Sequence, residues 1–211
     1  RDTSVTGVQT CALPIFWISI GSTYTYLTAL RLSKFIQNND FDISFKIINI
    51  RWIMKKMDNV PFPPSKPSKV NYMWKDIQRR AEIYQIPIPK IPAPYPLKYF
   101  DEANLYALTA LEEGWFVQYL ENTYRYWFLE EIPAGSDENI KLVCSINNID
   151  FQSFKEKSSS NKVLNEYKQN TQLAYEFGVF GVPSFSVNEN LFWGDDRLND
   201  IVHLKKELNL V

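Results

Sequence analysis

The sequence predicts an α/β fold interrupted by an all-helical insertion, and three observations support this prediction. Residues 15–20 form an apolar run of strand length that breaks at a Gly-Ser pair and continues with helical spacing. Residues 67–161 show helical patterns and proline-rich loops but no convincing strand. Near the end of the chain, a Val-Pro step precedes two short strand-like segments. Strands at both ends of the chain therefore enclose a helical segment.

The start of the chain predicts a βαβ unit with a ligand-binding end. After the first strand, apolar residues recur three and four positions apart from Leu27 to Ile36, as in an amphipathic helix. Residues 43–48 have the composition of a second strand, which such a crossover places parallel to the first. A right-handed connection brings the start of the helix to the carboxyl ends of the strands, where α/β sheets bind ligands.

Ser22 lies at this predicted helix start. We expect its hydroxyl at or beside the N-cap, where it meets unpaired backbone N–H groups and the positive end of the helix dipole. An anion held there would be stabilised. A serine before a helix is also ordinary capping chemistry, so these residues alone favour a structural cap.

The insertion is expected to contain helices joined by proline-rich loops. Prolines between residues 61 and 67 keep that loop out of helix. The first inserted helix has an apolar face that includes Met73 and Ile77, and it ends before a second proline-rich stretch. Helical spacing then continues from Leu105 through Gly114 toward Phe128. Further helices are predicted at residues 136–146, 150–157 and 162–177.

The end of the chain predicts a return to the sheet. A helix end and a turn lead into the Val182-Pro183 step, after which residues 184–187 and 191–193 flank a turn-like Asn-Glu-Asn. This pattern predicts a hairpin. A last helix is expected to begin at Asp195 or Asp196 and to include Leu208 among its apolar residues.

These elements predict two domains after a leader. Residues 1–15 contain a stretch that resembles the translation of a sequencing adapter, and the chain lacks an initiating Met, so we expect a non-native leader in which Cys11 is accidental. An export signal fits less well because no basic region precedes a continuous apolar core. Residues 16–66 and 162–211 are predicted to form one domain, and residues 67–161 a helical insertion domain.

Composition excludes several classes of function. The 23 basic and 24 acidic side chains give a net charge of -1, which predicts neither a nucleic-acid partner nor a membrane partner. No apolar run approaches the roughly 20 residues that span a bilayer. Cys11 and Cys144 have no metal-ligand spacing and suggest no disulfide framework, so we expect no metal and a reducing, cytoplasmic compartment. The single histidine, His203, is interpreted as structural or solvent-facing, which excludes most histidine-based mechanisms.

Four motifs carry a resemblance to a known family. The strongest is the Gly-Val-Phe-Gly-Val-Pro segment at residues 178–183, followed by Leu-Phe-Trp-Gly-Asp-Asp-Arg-Leu at residues 191–198. Residues 22–27 match the family motif S-P-Y-S-Y-L, Asp58-Asn59 before Pro61 matches a Gly-Asn-x-Pro-Pro loop, and residues 69–73 match the start of the first inserted helix. The chain thus resembles the 2-hydroxychromene-2-carboxylate isomerases and the kappa-class glutathione transferases, in the DsbA-like branch of thioredoxin folds.

This resemblance implies a thioredoxin-like fold, a cis peptide bond before Pro183 opposite Ser22, glutathione as cofactor, and a homodimer. It also implies roles for individual residues. Glutathione would be bound by the residues that match the family's glutathione site: Ser22, Val182, Pro183, Trp193, Gly194, Asp195 and Asp196. An aromatic-derived small-molecule substrate would be bound by Asn59, Lys69 and Tyr72, and Trp17 and Tyr24 could line the same apolar pocket. The chain departs from the family pattern at Ser19, Thr23 and Asp58.

The implied chemistry depends on lowering the pKa of a thiol. A free thiol titrates near pH 8.5, and its thiolate is the nucleophile. A hydrogen bond from the catalytic Ser22 hydroxyl to the sulfur anion would contribute about 1.5 to 3 kcal/mol, or about one to two pKa units. The thiolate could add to a conjugated double bond, permit rotation or ring opening, and leave again, which is isomerisation by covalent catalysis.

Three other functions are compatible with parts of the pattern. A glutathione transferase or peroxidase would use the same thiolate. A dithiol oxidoreductase fits less well, because Ser22 and Thr25 replace both sulfurs of a C-x-x-C motif and Cys144 lies in the insertion. A non-catalytic thioredoxin-like binding module would keep Pro183 and Asp196 but show no turnover.

Overall fold

The computed structural model of the protein describes residues 13–39 and 42–207. Most of the predicted leader, including Cys11, lies outside the described residues, as does Leu208. Ile15, the last residue of that leader, is instead the first residue of a strand, because its backbone pairs with Ser44 and Ser186. The fold therefore includes this end of the adapter-like stretch.

A four-stranded mixed sheet forms the centre of the fold. Its strands are β1 (Ile15–Ile18), β2 (Ser44–Ile47), β3 (Ser184–Val187) and β4 (Asn190–Trp193), in the order β2-β1-β3-β4. The predicted parallel pairing of β1 and β2 is confirmed, and β3 runs antiparallel to β1. The predicted hairpin of β3 and β4 is also confirmed, and Asn188 in its turn has a left-handed φ of 51°.

Helices surround this sheet. They are α1 (Thr25–Asn39), α2 (Ile50–Lys56), α3 (Pro67–Ile83), α4 (Phe100–Glu112), α5 (Phe116–Leu129), α6 (Asp137–Ile146), α7 (Phe151–Ser158), α8 (Asn161–Phe177) and α9 (Leu198–Glu207). A 3-10 turn at Asp195–Arg197 precedes α9. Among the described residues, the segment from α3 to α7 contains no strand. The predicted fold class, a thioredoxin-like α/β fold with a helical insertion, is confirmed.

One helix was missed and one helix prediction was wrong. Helix α2 was not predicted, although Asn49 accepts a hydrogen bond from the Trp52 N–H and caps the helix. The helical run expected to pass through Gly114 is two helices, because α4 ends at Glu112 and Gly114 adopts a φ of 81°. A left-handed residue of this kind ends a helix.

The strands bury side chains on both faces. Successive strand residues point to opposite faces of a sheet, so Phe16 and Ile18 pack in one hydrophobic cluster and Trp17 in another. Full burial of such a side chain contributes about 1.5 to 3 kcal/mol. Trp17 is only 1% exposed and donates its indole N–H to Ser186 Oγ at 2.8 Å, so it belongs to the core and not to a pocket.

One hydrophobic cluster joins the sheet to the helical insertion. It includes Phe16 and Phe185 from strands as well as Leu108 and Phe128 from the inserted helices. Helix α5 also packs along α1. The insertion is thus part of a continuous core, and the division into domains at residues 67 and 161 stays a prediction.

Candidate functional site

The Ser22 side chain and the Val182-Pro183 step lie next to each other, although 160 residues separate them in sequence. The Ser22 hydroxyl donates a hydrogen bond to the Val182 carbonyl oxygen at 2.9 Å. The Val182-Pro183 peptide bond is cis, as the family resemblance implied. We call this pair, together with the adjoining residues 193 and 194, the Ser22–Pro183 site.

Ser22 was predicted at or beside the N-cap of α1, and it lies just before the turn that leads into the helix without capping it. Helix α1 begins at Thr25, and a preceding turn is closed by hydrogen bonds from Tyr26 N to Thr23 O and from Leu27 N to Tyr24 O. A capping hydroxyl accepts a hydrogen bond from the helix backbone, whereas the Ser22 hydroxyl donates to Val182. The serine is therefore turned toward the cis-proline.

The turn before α1 presents backbone donors. The N–H groups of Thr23, Tyr24 and Thr25 have no acceptor among the described residues. The first N–H groups of a helix generally lack intrahelical partners and carry its partial positive charge. The start of α1 therefore has backbone donors without a partner close in sequence to the Ser22 hydroxyl.

Gly21 allows the backbone to reach this position. Its φ of 133° is one that side-chain-bearing residues rarely adopt. A Cβ at this residue would also lie 2.5 Å from the Phe100 ring. The glycine thus lets the turn pass directly over the first residue of α4.

Side chains from the inserted helices contact this turn, and the sequence reasoning missed them. The Tyr124 hydroxyl donates to the Ser22 carbonyl at 2.8 Å, and the Thr23 hydroxyl donates to Met73 Sδ at 3.0 Å. Asn104 binds both the N–H and the carbonyl of Ile20, at 2.8 and 2.9 Å. One signal was available for Asn104, since it is a polar residue on the mostly apolar core face of α4.

The second side of the site is formed by the segment after β4. The Gly194 N–H donates to the Pro183 carbonyl at 3.0 Å, which keeps this segment beside the cis-proline. Trp193 is 55% exposed, and its ring lies 5.0 Å from that of Phe180. A Cβ at Gly181 would be 2.5 Å from Trp193 Nε1, so the indole lies directly against the Gly181 backbone.

The structure places the two neighbouring aspartates in different environments. The Asp195 carboxylate is buried and accepts hydrogen bonds from Arg80 at 2.8 and 3.1 Å, with Arg31 3.7 Å away. Burial raises the pKa of the Asp195 carboxyl, while the charges of both arginines oppose that rise. Arg31 and Arg80 thus hold the Asp195 carboxylate in place, and its contact with glutathione stays a prediction. The Asp196 side chain is 43% exposed and lies 3.4 Å from the Arg197 guanidinium in a surface ion pair.

The predicted substrate-binding residues Lys69 and Tyr72 lie at different positions relative to the turn that contains Ser22. Lys69 Nζ lies 5.4 Å from the centre of the Phe62 ring, which lies 6.2 Å from that of Tyr24, two residues after Ser22. The Tyr24 hydroxyl donates to Asp76 at 3.0 Å, and burial raises its pKa, so this phenol stays protonated. Tyr72, exposed on α3, lies beneath the Arg79 guanidinium.

Asn59 follows an unusual residue in the loop after α2. Asp58 has a left-handed φ of 51°, and the Asn59 N–H donates to the Met54 carbonyl at 2.9 Å, which closes the end of that helix. Glycine stands at position 58 in the family motif, and aspartate is one of the few other residues that tolerate this conformation. The Asn59 side chain is exposed and forms no hydrogen bond within the described residues.

Other reactive groups lie elsewhere. Cys144 in α6 is 1% exposed, and burial raises the pKa of its thiol to about 11, which makes it a poor nucleophile. His203 is an exposed residue of α9. Within residues 13–39 and 42–207, no group of three or more His, Cys, Asp or Glu side chains could hold a metal ion. None of the helices in the described part of the chain has both the length and the apolar character needed to cross a bilayer.

A groove of about 330 Å³ lies apart from the Ser22–Pro183 site, between the end of α1 and the turn that joins α4 to α5. It shares no lining residue with the site; its lining is Ser33, Ile36, Gln37, Phe45, Leu111, Gly114, Phe116, Val117 and Gln118. The convergence of donors at Ser22, and not the size of a cavity, therefore defines the candidate site.

Comparison with known proteins agrees with this geometry at the level of the fold. A family model described as the DSBA-like thioredoxin domain matches residues 15–204. The cytosolic disulfide reductase DsbM from Pseudomonas aeruginosa, at 12% identity, shares the fold with a TM-score of 0.66 over 95% of this chain and 100% of that one. The cis-proline and mixed sheet thus define a thioredoxin-fold protein of the DsbA-like class.

Proteins with higher sequence identity to this chain indicate a narrower group within the DsbA-like class. A 2-hydroxychromene-2-carboxylate isomerase from Pseudomonas sp. (strain C18) is 30% identical over 87% of this chain and 85% of that protein. Another from Pseudomonas putida is 28% identical over 87% and 89%. A solved structure of a 2-hydroxychromene-2-carboxylate isomerase has a TM-score of 0.81 at 27% identity, over 93% of this chain and 96% of that one. The chain therefore belongs to the DsbA-like thioredoxin-domain family, in the branch that contains the 2-hydroxychromene-2-carboxylate isomerases.

Proposed function

We propose that the protein is a glutathione-dependent isomerase acting on 2-hydroxychromene-2-carboxylate or a similar conjugated acid derived from an aromatic ring. The names of the relatives support the reaction class. The observation that carries the proposal is the 2.9 Å hydrogen bond from Ser22 Oγ to the carbonyl before the cis-proline. This bond keeps the hydroxyl beside the cis-proline, and its single proton would turn from the Val182 carbonyl to the sulfur when a thiolate binds. The proposal includes a cytoplasmic homodimer.

The residues of the site suit a thiol-bearing peptide. Among the described residues, the Val182 N–H has no acceptor, so it is available to an extended peptide beside it. Ser22 and the free N–H groups of Thr23 and Tyr24 are donors that would favour an anionic sulfur. Bound glutathione would supply a thiolate that adds reversibly to the conjugated double bond of the substrate.

Ser22 acts in this proposal as a hydrogen-bond donor and not as a nucleophile. Its hydroxyl bonds a backbone carbonyl, and a serine nucleophile needs an adjacent general base. A donor that favours the thiolate lowers the pKa of the thiol. Ser22 would therefore increase the fraction of reactive sulfur at neutral pH.

Charged residues near the site would bind the charged ends of glutathione and of the substrate. The exposed Asp196 carboxylate suits the ammonium group of a γ-glutamyl unit, and Asp195 holds the segment that carries it. Lys69 is the exposed cation connected to the Ser22 turn through Phe62, so it would attract the substrate carboxylate. Asn59 and Tyr72 would contact the same substrate from the loop and from α3.

Replacement of the serine tests the proposal. In Ser22→Ala we expect glutathione-dependent turnover of 2-hydroxychromene-2-carboxylate to fall about 100-fold or more, as when one donor to a developing anion is removed. The pKa of bound glutathione, read from the pH dependence of thiolate absorbance, should rise by about one to two units. Glutathione affinity, measured by calorimetry, should change little because the peptide contacts remain.

Ser33→Ala is the matched control, since Ser33 lies on α1 away from the site and should leave both readouts unchanged. Equal thiolate titration curves for Ser22→Ala and the wild type would remove Ser22 from the mechanism. A generic conjugation substrate belongs in the same assay. Conjugate without isomerisation would indicate a transferase, and glutathione binding without any turnover would indicate a binding module.

A further inference from the structure

The Ser22 turn is held by the inserted helices, and one of these contacts determines how its donors are aimed. We propose that Tyr124 of α5 is a positioning residue that keeps the Ser22–Thr23 peptide plane oriented toward the bound thiolate. This inference rests on the proposed function and adds a residue that the sequence motifs do not include. Tyr124 itself lies behind the turn and contacts no reacting atom.

Tyr124 is built to be a fixed donor. It is fully buried, and its hydroxyl lies 2.8 Å from the Ser22 carbonyl oxygen. Its ring packs against Trp127 at 5.4 Å and Phe128 at 5.7 Å, which leaves it little freedom to rotate away. Burial also raises the pKa of the phenol, so it remains protonated at neutral pH and always donates.

The hydrogen bond from Tyr124 orients the whole Ser22–Thr23 peptide plane and not only the Ser22 carbonyl. Because the Ser22–Thr23 peptide is planar and trans, its C=O and N–H groups point in opposite directions. The Tyr124 hydroxyl draws the carbonyl toward the inserted helices and therefore directs the Thr23 N–H away from them. That N–H has no acceptor among the described residues, and it belongs to the residue next to the Ser22 hydroxyl. It is thus a second donor available to the sulfur anion.

Two further contacts prevent the turn from shifting as a whole. Asn104 binds Ile20 on one side of Ser22, and the Thr23 hydroxyl bonds Met73 on the other. Loss of the Tyr124 hydroxyl alone should therefore loosen one peptide plane without unfolding the turn. This permits a test in which positioning is separated from general stability.

The test compares two tyrosines of the same helix. Tyr119 is also fully buried, and its hydroxyl donates to a backbone carbonyl, that of Ala103, at the same distance of 2.8 Å. Tyr124→Phe and Tyr119→Phe remove the same atom, so they should lower the chemical denaturation midpoint similarly. Only Tyr124→Phe should lower kcat, by about tenfold to 100-fold as expected for a misplaced donor, with little change in KM for glutathione. It should also raise the pKa of bound glutathione by about half a unit to one unit.

The outcomes separate the two proposals. Equal kcat values and equal thiolate titrations for both variants would overturn the positioning role, while wild-type turnover and its loss in Ser22→Ala would leave the proposed function standing. A KM increase without a kcat decrease in Tyr124→Phe would also overturn it, because the residue would then support binding alone. If the wild type neither ionises glutathione nor isomerises the substrate, both proposals fail together.

Discussion

The two sides of the Ser22–Pro183 site are held in place by different kinds of interaction. On the Ser22 side, uncharged side chains such as Asn104 and Tyr124 bond the backbone from within the core. On the Gly194 side, the buried Asp195 is held by the charges of Arg31 and Arg80. The side that would carry the chemistry thus depends on neutral hydrogen bonds, while the side that would bind the cofactor's charged end depends on ion pairs.

This difference has energetic consequences. Neutral buried hydrogen bonds keep their strength in salt, and each contributes about 1 kcal/mol net. A buried ion pair has a large desolvation cost that its partners must offset, so its loss on one side leaves a charge uncompensated. Consistent with that cost, burial lowers the pKa of Arg31, whose guanidinium lies 3.5 Å from the centre of the Tyr84 ring.

Removal of the central charge should have the largest effect on stability. Asp195→Asn leaves Arg31 and Arg80 without their carboxylate, so we expect the free energy of unfolding to fall by about 3 kcal/mol. Chemical denaturation measures this change. Asp200→Asn, which makes the same substitution in the exposed pair with Arg197, should cost less than about 1 kcal/mol. Equal losses in the two variants would mean that the Gly194 side is not held by its buried charges.

A smaller loss is expected when the neutral side is weakened. Asn104→Ala removes two hydrogen bonds to Ile20 and one to Phe100, and it leaves a buried N–H unpaired, which should cost about 2 kcal/mol. Denaturation in low and high salt sharpens the comparison, because this loss should be the same in both. Asn147→Ala, which removes a single bond at the end of α6, serves as the control and should cost about 0.5 to 1 kcal/mol. A salt-dependent loss for Asn104→Ala would contradict the contrast drawn between the two sides.

The smallest effect on stability is expected in the loop after α2, which neither the neutral hydrogen bonds nor the buried ion pairs hold in place. Asp58 adopts a φ of 51°, where glycine has no steric cost, so Asp58→Gly should raise the free energy of unfolding by about 0.5 to 1 kcal/mol. Asp58→Ala, at the same position, should lower it, because alanine tolerates this conformation less well than aspartate. Thermal melts of the two variants should therefore move in opposite directions. A shift in the same direction would show that side-chain contacts, and not backbone conformation, decide stability there.

Local patterns were sufficient to predict much of the fold. The three- and four-residue spacing from Leu27 onward predicted α1, and the turn at Asn188 predicted the hairpin. Helix α2 was missed because seven residues give too short a periodic pattern, although Asn49 supplied a capping signal. Gly114 was read as an interior residue because apolar spacing continues on both sides of it.

The site was predicted only where its residues lie within sequence motifs. Ser22 and Pro183 could be paired because each lies in a recognisable segment. The contacts of Tyr124 and Asn104 span 102 and 84 residues and depend on how α4 and α5 pack, which no local pattern encodes. The pairing of Asp195 with Arg31 and Arg80 was missed for a similar reason, since these partners are distant in sequence.

The close contact between Gly181 and Trp193 leaves no room for a side chain at position 181. The indole occupies the space that any larger residue would need, with its nitrogen 2.5 Å from where the first side-chain carbon would stand. A single added methyl group would therefore displace the Trp193 indole from the Gly181 backbone. The position of this exposed indole thus depends on one absent carbon atom, at a residue that makes none of the hydrogen bonds proposed for catalysis.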